Sequence, residues 1–301
     1  MLTFLKLGHK GNLGNQLFQI ASTIGLATQY GHAFCFPKWE YGKYFDFDFK
    51  EIEENKQWIP LNEAQFNYYE WNLPKGDYTL NGWLQSEKYF QNIDVKSIFK
   101  FKTDFEANLI NQNKELFSKP TILISVRRGD FVDNKDYFQL SYTYYFKGLL
   151  HHLPDYEKYN IIFASDDINY CKYHFSFLKN AYFLEGLNAI EQLCLASKFD
   201  HYIVSNSTFS WWLAKLGEKP NSTVICPIKN FDGSFAQKYD DSDYYPERWI
   251  KYNPNKDYLP SRFWKLFLKG ETYKLKHQVF NLLKRSYVKI KKIIKKVLKK
   301  N

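Results

Sequence analysis

The strongest constraint on the fold is a regular alternation of apolar strands and helical segments between Lys119 and Pro227. The strand-like segments are TILISV, NIIFAS, HYIVSN and TVICP, and the helix-like segments are residues 141–152, 167–178, 188–199 and 208–217. Apolar strands that alternate with helices predict a parallel sheet with helices on both faces. The second half of the chain is therefore predicted to be a doubly wound α/β domain.

A shorter unit of strand, loop and helix is predicted at the N-terminus. Apolar and polar residues alternate from Leu2 to Leu7, and a glycine-rich loop follows. From Asn15 the apolar residues recur at helical spacing as far as Gly31, where a helix would end. Residues 37–78 show no firm periodicity, so we expect loops and short elements there.

The chain length of 301 residues fits two compact domains of about 100–150 residues and a tail. We expect an N-terminal domain at residues 1–117, a second domain at residues 118–250 and a tail at residues 251–301. The end of the globular body is marked by three prolines, Pro246, Pro254 and Pro260. Two domains predict a cleft between them.

The positive charge is concentrated in the tail. The chain has a formal net charge of +10, but from Arg262 onward it carries fourteen Lys and Arg residues and one acid, Glu271. The first 261 residues therefore hold 28 basic and 31 acidic side chains, which argues against a nucleic-acid surface on the body. Apolar residues of the tail recur at three- and four-residue steps, with lysines between them: Phe280, Leu283, Tyr287, Ile290, Ile294 and Val297. This pattern is typical of a basic amphipathic helix on an anionic membrane, and a solvated charge run is the alternative.

The cysteines and the N-terminus favour a cytoplasmic protein. The cysteines lie far apart, with no C-x-x-C spacing and no His in a ligand pattern: Cys35, Cys171, Cys194 and Cys226. This indicates neither a zinc site nor a disulfide framework, and the four read as buried small apolar residues. The N-terminal segment reaches glycines before any apolar run long enough for a signal peptide, and no run of about 18 apolar residues occurs.

Polar residues follow the first predicted strand of the second domain. The segment ISVRRGD at residues 124–130 places Arg127, Arg128 and Asp130 just beyond the strand. In open α/β sheets ligands bind beyond the carboxyl ends of the strands. The planar fork of arginine suits a diphosphate. The placement favours a ligand site, and a surface ion pair between Arg128 and Asp130 is the alternative.

Two further strand ends carry polar clusters. Ser165, Asp166 and Asp167 follow NIIFA, where a carboxylate can accept from ribose or guanine, or where Ser165 or Asp166 caps the next helix. The segment SNSTFSWW, from Ser205 to Trp212, ends a strand and opens a helix. Its N-terminus offers backbone N–H groups to an anion. The same helix N-terminus can bind an anion and also be capped by a side-chain hydroxyl, so the two interpretations are compatible.

The glycine-rich loop GHKGNLGNQ precedes the first predicted helix. Its glycines Gly8, Gly11 and Gly14 allow close backbone approach to a ligand, and Asn15 and Gln16 add amide groups. The spacing matches neither G-x-G-x-x-G nor a P-loop, so an ordinary tight turn is the alternative.

Two D-x-D pairs have a spacing that can hold a divalent ion on a sugar nucleotide. These are Asp46–Asp48 and Asp241–Asp243, and neither follows a convincing buried strand. We interpret them as solvated loop acids and predict no metal site.

Four segments together resemble the bacterial α-1,2-fucosyltransferases, glycosyltransferase family 11. In chain order they are GNLGNQLFQIA, GWLQSEKYF, VRRGD and SNSTFSWW, and the resemblance covers about residues 1–250. It implies an α/β, GT-B-like fold with an acceptor-side domain first and a Rossmann-like GDP-fucose domain second. It also implies inverting transfer of L-fucose from GDP-fucose to a galactose 2-hydroxyl of a glycan, in surface polysaccharide synthesis. No metal or other cofactor is expected.

The resemblance also implies roles for individual residues. Arg127 would hold the β-phosphate as it leaves, because a donor aimed at developing charge is often the largest catalytic factor. Asn15 and Gln16 would face donor and acceptor across the cleft. Asp130 is the first candidate for the catalytic base and Glu87 the second. The other predicted substrate-binding residues are Gly11, Gly14, Arg128, Ser165, Asp166, Asp167, Glu191, Asn206, Ser207, Thr208 and Ser210.

Two positions differ from the family pattern and leave alternatives open. Ser125 stands where the family typically has His, and the acid upstream of the last segment appears as Glu191-Gln192, shifted by one place. Both resemble positions that help to recognise guanine, so a transferase of another nucleotide-linked sugar is the main alternative. A non-catalytic basic protein that binds membrane or nucleic acid is the other. If the acceptor is lipid-linked, contact of the tail with the inner face of the cell membrane would bring enzyme and substrate together.

Overall fold

Two parallel sheets carry the fold. The structure, a computed structural model, describes residues 1–53 and 55–298. The chain divides into two compact units, Met1–Pro254 and Asn255–Asn301, and both sheets belong to the first.

The smaller sheet lies in the N-terminal half. Its strands are β1 Leu2–Thr3, β2 Ile59–Asn62 and β3 Tyr78–Asn81, all parallel, in the order β1-β3-β2. β1 is shorter than the predicted segment Leu2 to Leu7, because the chain turns after Thr3. The N–H of Leu7 donates to the carbonyl of Phe4 over 2.9 Å.

The larger sheet is the predicted doubly wound sheet. Its strands are β4 Thr121–Val126, β5 Asn160–Ser165, β6 Ala181–Phe183, β7 His201–Ile203, β8 Val224–Pro227 and β9 Ile250–Tyr252. All are parallel, in the order β6-β5-β4-β7-β8-β9. Later strands are added outward from β4 on one side and from β7 on the other, so the strand order reverses between β4 and β7. Ligands of open α/β sheets bind at such a reversal.

Helices connect the strands. In the first unit they are α1 Leu13–Tyr30, α2 Val95–Ile98, α3 Thr103–Gln112, α4 Tyr142–His152, α5 Ile168–Phe175, α6 Ala189–Ala196, α7 Thr208–Gly217 and α8 Gly233–Lys238. α1 ends as predicted: Gly31 takes a left-handed conformation with φ 66°, which glycine adopts without strain.

The two halves of the first unit share one core. Phe18 of α1 packs on Trp211 of α7 with ring centroids 4.6 Å apart, and Phe90, which follows β3, stacks on Trp212 at 5.7 Å. Residues 1–117 and 118–250, expected as two domains, therefore lie in one compact unit, each with its own sheet. The unit ends at Pro254 rather than at residue 250, because β9 pairs with β8 and buries Tyr252.

The four cysteines are free and buried, as predicted. Burial raises the pKa of three of their thiols to about 12: Cys171, Cys194 and Cys226. These thiols stay protonated and unreactive at neutral pH.

The second unit contains one long helix, α9 Trp264–Leu298. The apolar side chains predicted to share a face are exposed where they are described, by 62% at Phe280 and 65% at Leu283 and Tyr287. The side chains of Ile294 and Val297 lie outside the described part of the chain. Within the described residues, no helix combines the length and the apolar character needed to cross a membrane.

Candidate functional site

A cavity of about 760 Å³ lies between the two halves of the first unit. The N-terminal half contributes the glycine-rich loop, Glu40, Tyr41, Trp83 and Gln85. The C-terminal half contributes residues that follow β4, β5, β7 and β8, so the cavity covers the reversal of strand order. Most of the predicted site residues meet here.

Arg127 is the cation at the end of β4 that faces the cavity. Its guanidinium pairs with Asp130 and, over 3.0 Å, with Asp166, and it lies over the ring of Phe131. The alternative ion pair between Arg128 and Asp130 is therefore wrong: Asp130 pairs with Arg127. Two carboxylates hold the guanidinium at the cavity wall, where it can meet an anionic ligand.

Arg128 lies on a different side of the chain from its neighbour. Its guanidinium lies 4.0 Å from the ring centroid of Tyr170 and 3.6 Å from a carboxylate oxygen of Asp167. Asp167 also caps α5 by accepting from the N–H of Tyr170, so the cap is neither Ser165 nor Asp166. Ser165 and Asp166 line the cavity, whereas Arg128 and Asp167 hold the surrounding fold together.

The N-terminus of α7 faces the same cavity from the end of β7. Ser207 caps the helix by accepting from the N–H of Phe209 over 3.2 Å, and Ser207, Thr208 and Phe209 line the cavity. The side-chain amide of Asn206 donates to two loop carbonyls, those of Phe138 and Asn230, each over 3.0 Å. The helix end is thus both capped and open to an anion, and Asn206 joins the loops beside it.

Three buried serine hydroxyls lie below the helix end. Ser210 is 2.7 Å from Ser125 and 2.7 Å from Ser205, and Ser125 and Ser210 line the cavity. Ser125 is a residue that departs from the sequence pattern discussed above. At this position the chain presents a hydroxyl that is already engaged with Ser210.

The glycine-rich loop forms the wall in the N-terminal half. Gly11, Gly14, Asn15 and Gln16 all line the cavity. The side-chain oxygen of Asn15 accepts from Gln85 over 2.7 Å. Gln16 donates to the carbonyl of Gly11 and accepts from Trp39, so its amide fixes the loop.

Glu87, the second candidate for the base, lies in an ion-pair cluster. It pairs with Lys215 and, over 2.5 and 2.9 Å, with Arg248. Burial raises its pKa, but the hydrogen bonds and charges of these two cations outweigh burial and hold the pKa below the ordinary glutamate value. Because cations engage both of its oxygens, Glu87 is poorly placed to take a proton.

Glu191 is a further predicted site residue whose side chain is engaged in the fold. It forms a capping box with Asn188 at the start of α6. The following residue, Gln192, lines the cavity, and its amide donates to the carbonyl of Leu187 over 2.9 Å. The sequence pattern thus pointed to the correct helix N-terminus, that of α6. The side chain that lines the cavity there is Gln192, the neighbour of the predicted Glu191.

Sequence reasoning missed most of the aromatic wall of the cavity. The rings that line it and contact one another are Phe66, Phe131, Tyr137, Phe231, Phe235, Tyr239 and Tyr244. Most of these rings come from loops without periodicity, and Phe235 comes from the short helix α8. The high aromatic content of these segments is the one sequence signal that could have indicated them. Glu40 was also missed, although it lies between two aromatic residues, Trp39 and Tyr41.

Asp46 and Asp48 are exposed, as predicted, but the second D-x-D pair is not simply solvated. Asp241 accepts from the N–H groups of Asn230 and Phe231, and Asp243 accepts from Tyr68 and Ser86. These two acids therefore organise loops. Across residues 1–53 and 55–298, no group of three or more His, Cys, Asp or Glu is arranged to hold a metal ion.

Two parallel sheets around one cavity, with an arginine and a helix N-terminus at the strand-order reversal, define an α/β fold of the GT-B-like class. The chain belongs to glycosyl transferase family 11, whose family model matches residues 32–253.

Curated relatives come from Escherichia coli. An alpha-1,2-colitosyltransferase is 27% identical over 191 residues, which cover 59% of this chain and 63% of that protein. The O-antigen biosynthesis glycosyltransferase WbnK is 31% identical over 127 residues, or 39% of this chain and 41% of that protein. The matches thus span less than two thirds of either relative. Among solved structures, POFUT1 in complex with GDP has a TM-score of 0.51 at 12% identity, covering 75% of this chain and 97% of that chain, and supports the fold alone.

Proposed function

We propose that the protein is an inverting glycosyltransferase that moves L-fucose from GDP-fucose to the 2-hydroxyl of a galactose in a glycan. The observation that carries the proposal is the placement of Arg127 beside the N-terminus of α7. The two follow β4 and β7, the neighbouring strands at which the strand order reverses. A guanidinium and a set of free helix N–H groups together suit a diphosphate.

The same groups account for catalysis without a metal. As the bond between sugar and β-phosphate breaks, negative charge grows on the phosphate oxygen, and fixed donors at that point stabilise the transition state most. Arg127 and the dipole of α7 supply positive charge there. Asp130 and Asp166 orient Arg127 through their ion pairs. We therefore propose GDP-fucose as donor and no cofactor.

Colitosyl transfer is a second candidate, favoured by the similarity to the colitosyltransferase. Colitose is L-fucose without its 3-hydroxyl group, so the two sugars differ at a single carbon. Ser125 and Gln192 line the cavity at positions where the chain departs from the fucosyltransferase pattern. A glycan of a surface polysaccharide is the proposed acceptor in either case.

A donor panel tests the proposal. GDP release is measured with GDP-fucose, GDP-colitose, GDP-mannose and UDP-galactose, each with and without a β-galactoside. We expect acceptor-dependent release with GDP-fucose that Arg127→Ala lowers by about 100- to 1,000-fold. Faster release with GDP-colitose would favour the second candidate, and acceptor-independent release with every donor would reject transfer.

We also propose that α9 binds the anionic inner surface of the cell membrane, so that the protein is cytoplasmic and peripheral. Exposed apolar residues recur along α9, including Leu275, Val279, Phe280, Leu283 and Ile290. From Arg262 onward the chain carries fourteen Lys and Arg residues and one acid. Each basic residue near an anionic surface contributes about 1 kcal/mol, and the apolar face adds burial among the lipids.

Vesicle sedimentation tests the membrane proposal. The full chain should bind phosphatidylglycerol vesicles but not neutral ones, and removal of residues 271–301 should release it. The same deletion should leave transfer to a soluble galactoside unchanged, whereas a non-catalytic binding protein would lose its function entirely. Equal binding to neutral vesicles, or no effect of the deletion, would reject the proposal.

A further inference from the structure

The cavity contains three carboxylates in different electrostatic situations. Asp130 and Asp166 both pair with Arg127, the residue proposed to bind the leaving phosphate. Glu40 lines the cavity from the N-terminal half, and among the described residues no lysine or arginine pairs with it. Of the three, Glu40 is the carboxylate whose oxygens are not committed to a cation.

The neighbours of Glu40 hold it on the cavity wall. Trp39 is 7% exposed, and its indole N–H donates to Gln16 over 2.7 Å. The Trp39 ring stacks on Phe45 with centroids 5.6 Å apart and 4° between planes. Burial, the negative charge of Glu40 and a hydrogen bond with that carboxylate raise the pKa of Tyr41. Trp39 is thus fixed beside Glu40, and the Tyr41 ring packs on Trp39 with centroids 5.8 Å apart, while Glu40 itself is exposed to the cavity.

Inverting transfer needs the base and the leaving group on different sides of the reacting carbon. Arg127 and α7 belong to the C-terminal half, whereas Glu40 and Asn15 belong to the N-terminal half. The sugar bound by its diphosphate at the first wall would present its anomeric carbon to a hydroxyl at the second wall. Asp130 lies on the side of the leaving group, where its negative charge supports Arg127.

We infer that Glu40 is the catalytic base that takes the proton of the acceptor hydroxyl, an inference that rests on the proposed transferase function. A bond forms between the acceptor oxygen and the anomeric carbon, and the bond from that carbon to the β-phosphate oxygen breaks. The electron pair of the broken bond stays on the phosphate as GDP leaves, and the acceptor proton passes to the Glu40 carboxylate. Water then removes this proton.

The test compares two nucleophiles. A sugar hydroxyl must lose a proton, whereas azide is an anion without a proton and needs no base. Glu40→Gln should lower kcat for a β-galactoside by about 100-fold or more, because general base catalysis contributes about 10²–10⁴-fold. The rate of glycosyl azide formation from GDP-fucose should stay within about twofold of the unmodified enzyme. Glu40→Asp should keep part of the activity toward the galactoside.

Controls separate this inference from a loss of structure and from failure of the proposed function. Glu70→Gln changes an exposed glutamate of the same half and should alter neither rate. Thermal unfolding and GDP affinity of Glu40→Gln should match the unmodified protein. An unchanged kcat for the galactoside, or a parallel loss with galactoside and azide, would overturn the role of Glu40 while transfer by the unmodified enzyme stands. If the unmodified enzyme transfers fucose to neither nucleophile, the proposed function fails, and this inference with it.

Discussion

At the scale of single residues, the two adjacent arginines have separate tasks. Arg127 faces the cavity, whereas Arg128 packs against Tyr170 and Asp167. The side chain of Arg128 is 13% exposed, so its charge depends on these two partners. We therefore expect Arg127 to bind the ligand and Arg128 to stabilise the fold.

Substitution of each arginine separates these tasks. Arg127→Ala should lower kcat by about 100- to 1,000-fold with little change in stability, because a fixed donor to developing charge is lost. Arg128→Ala should lower the free energy of unfolding by about 1–3 kcal/mol, because the cation–π contact and the pairing of Asp167 are lost. Urea unfolding and steady-state kinetics measure both effects. If Arg128→Ala abolished activity in a fully stable protein, this division would be wrong.

The residues at strand ends were predictable, but the partners of amide side chains were not. Arg127, Asp166 and Ser207 follow buried strands, and parallel strands bring their carboxyl ends to one edge of a sheet. Gln16 and Asn206 are also at the site, yet their amides bond to groups distant in sequence. A motif of a few neighbouring residues carries no information on such long-range hydrogen bonds. The sequence therefore identified Gln16 and Asn206 as site residues but not the groups that their amides bind.

At the scale of elements, the N-termini of α1 and α7 touch at Gly14. A Cβ on Gly14 would overlap the backbone of Thr208 and Phe209. The sequence predicted that this glycine allows close approach of a ligand, whereas the close approach in the structure is between helices. The contact sets the position of the helix end proposed to bind the diphosphate.

Gly14→Ala should therefore weaken GDP binding as well as stability. The added methyl group has to displace the backbone of α7, and overpacking costs about 1–3 kcal/mol. Gly148→Ala is the matched control, since Gly148 also lies in a helix, α4, and the nearest atom that its Cβ would meet outside that helix is in the Tyr252 ring at 3.6 Å, an ordinary contact. Calorimetric titration with GDP should show a loss for Gly14→Ala and none for Gly148→Ala. Equal affinities would contradict a role for this contact.

Long buried elements were predicted well, and short ones were not. β4 and α7 have the predicted bounds, because β4 is buried throughout and α7 has helical spacing over ten residues. β3, β6 and β9 were missed. They contain four, three and three residues, too few to show a clear strand period, and none of the three residues of β6 is fully buried. Pairing with neighbouring strands, which the sequence does not reveal, makes them strands.

At the scale of the whole molecule, an ion-pair cluster joins the two halves of the first unit. Glu87 follows β3, Lys215 lies in α7, and Arg248 precedes β9. Glu218 pairs with both Lys215 and Arg248. Together with the shared aromatic core, this cluster fixes one half against the other and so sets the width of the cavity.

The cluster predicts how stability depends on pH. The pKa of Glu87 is lowered in the folded state, so its ion pairs stabilise the protein above the ordinary glutamate pKa. This stabilisation is lost as the pH falls through the lower, folded-state pKa. The free energy of unfolding of the unmodified protein should exceed that of Glu87→Gln at neutral pH, and the difference should shrink on acidification. Urea unfolding from pH 7 to about pH 3 measures it, and a constant difference would contradict the role of Glu87.

The most direct test of the central claim is the structure of the reaction product. The purified protein is incubated with GDP-fucose and a β-galactoside, and the product is analysed by two-dimensional NMR. The proposed function predicts an α-linked fucose on the galactose 2-hydroxyl, with inversion at the anomeric carbon. A β-linked product, or no new glycosidic bond with any donor of the panel, would contradict the account.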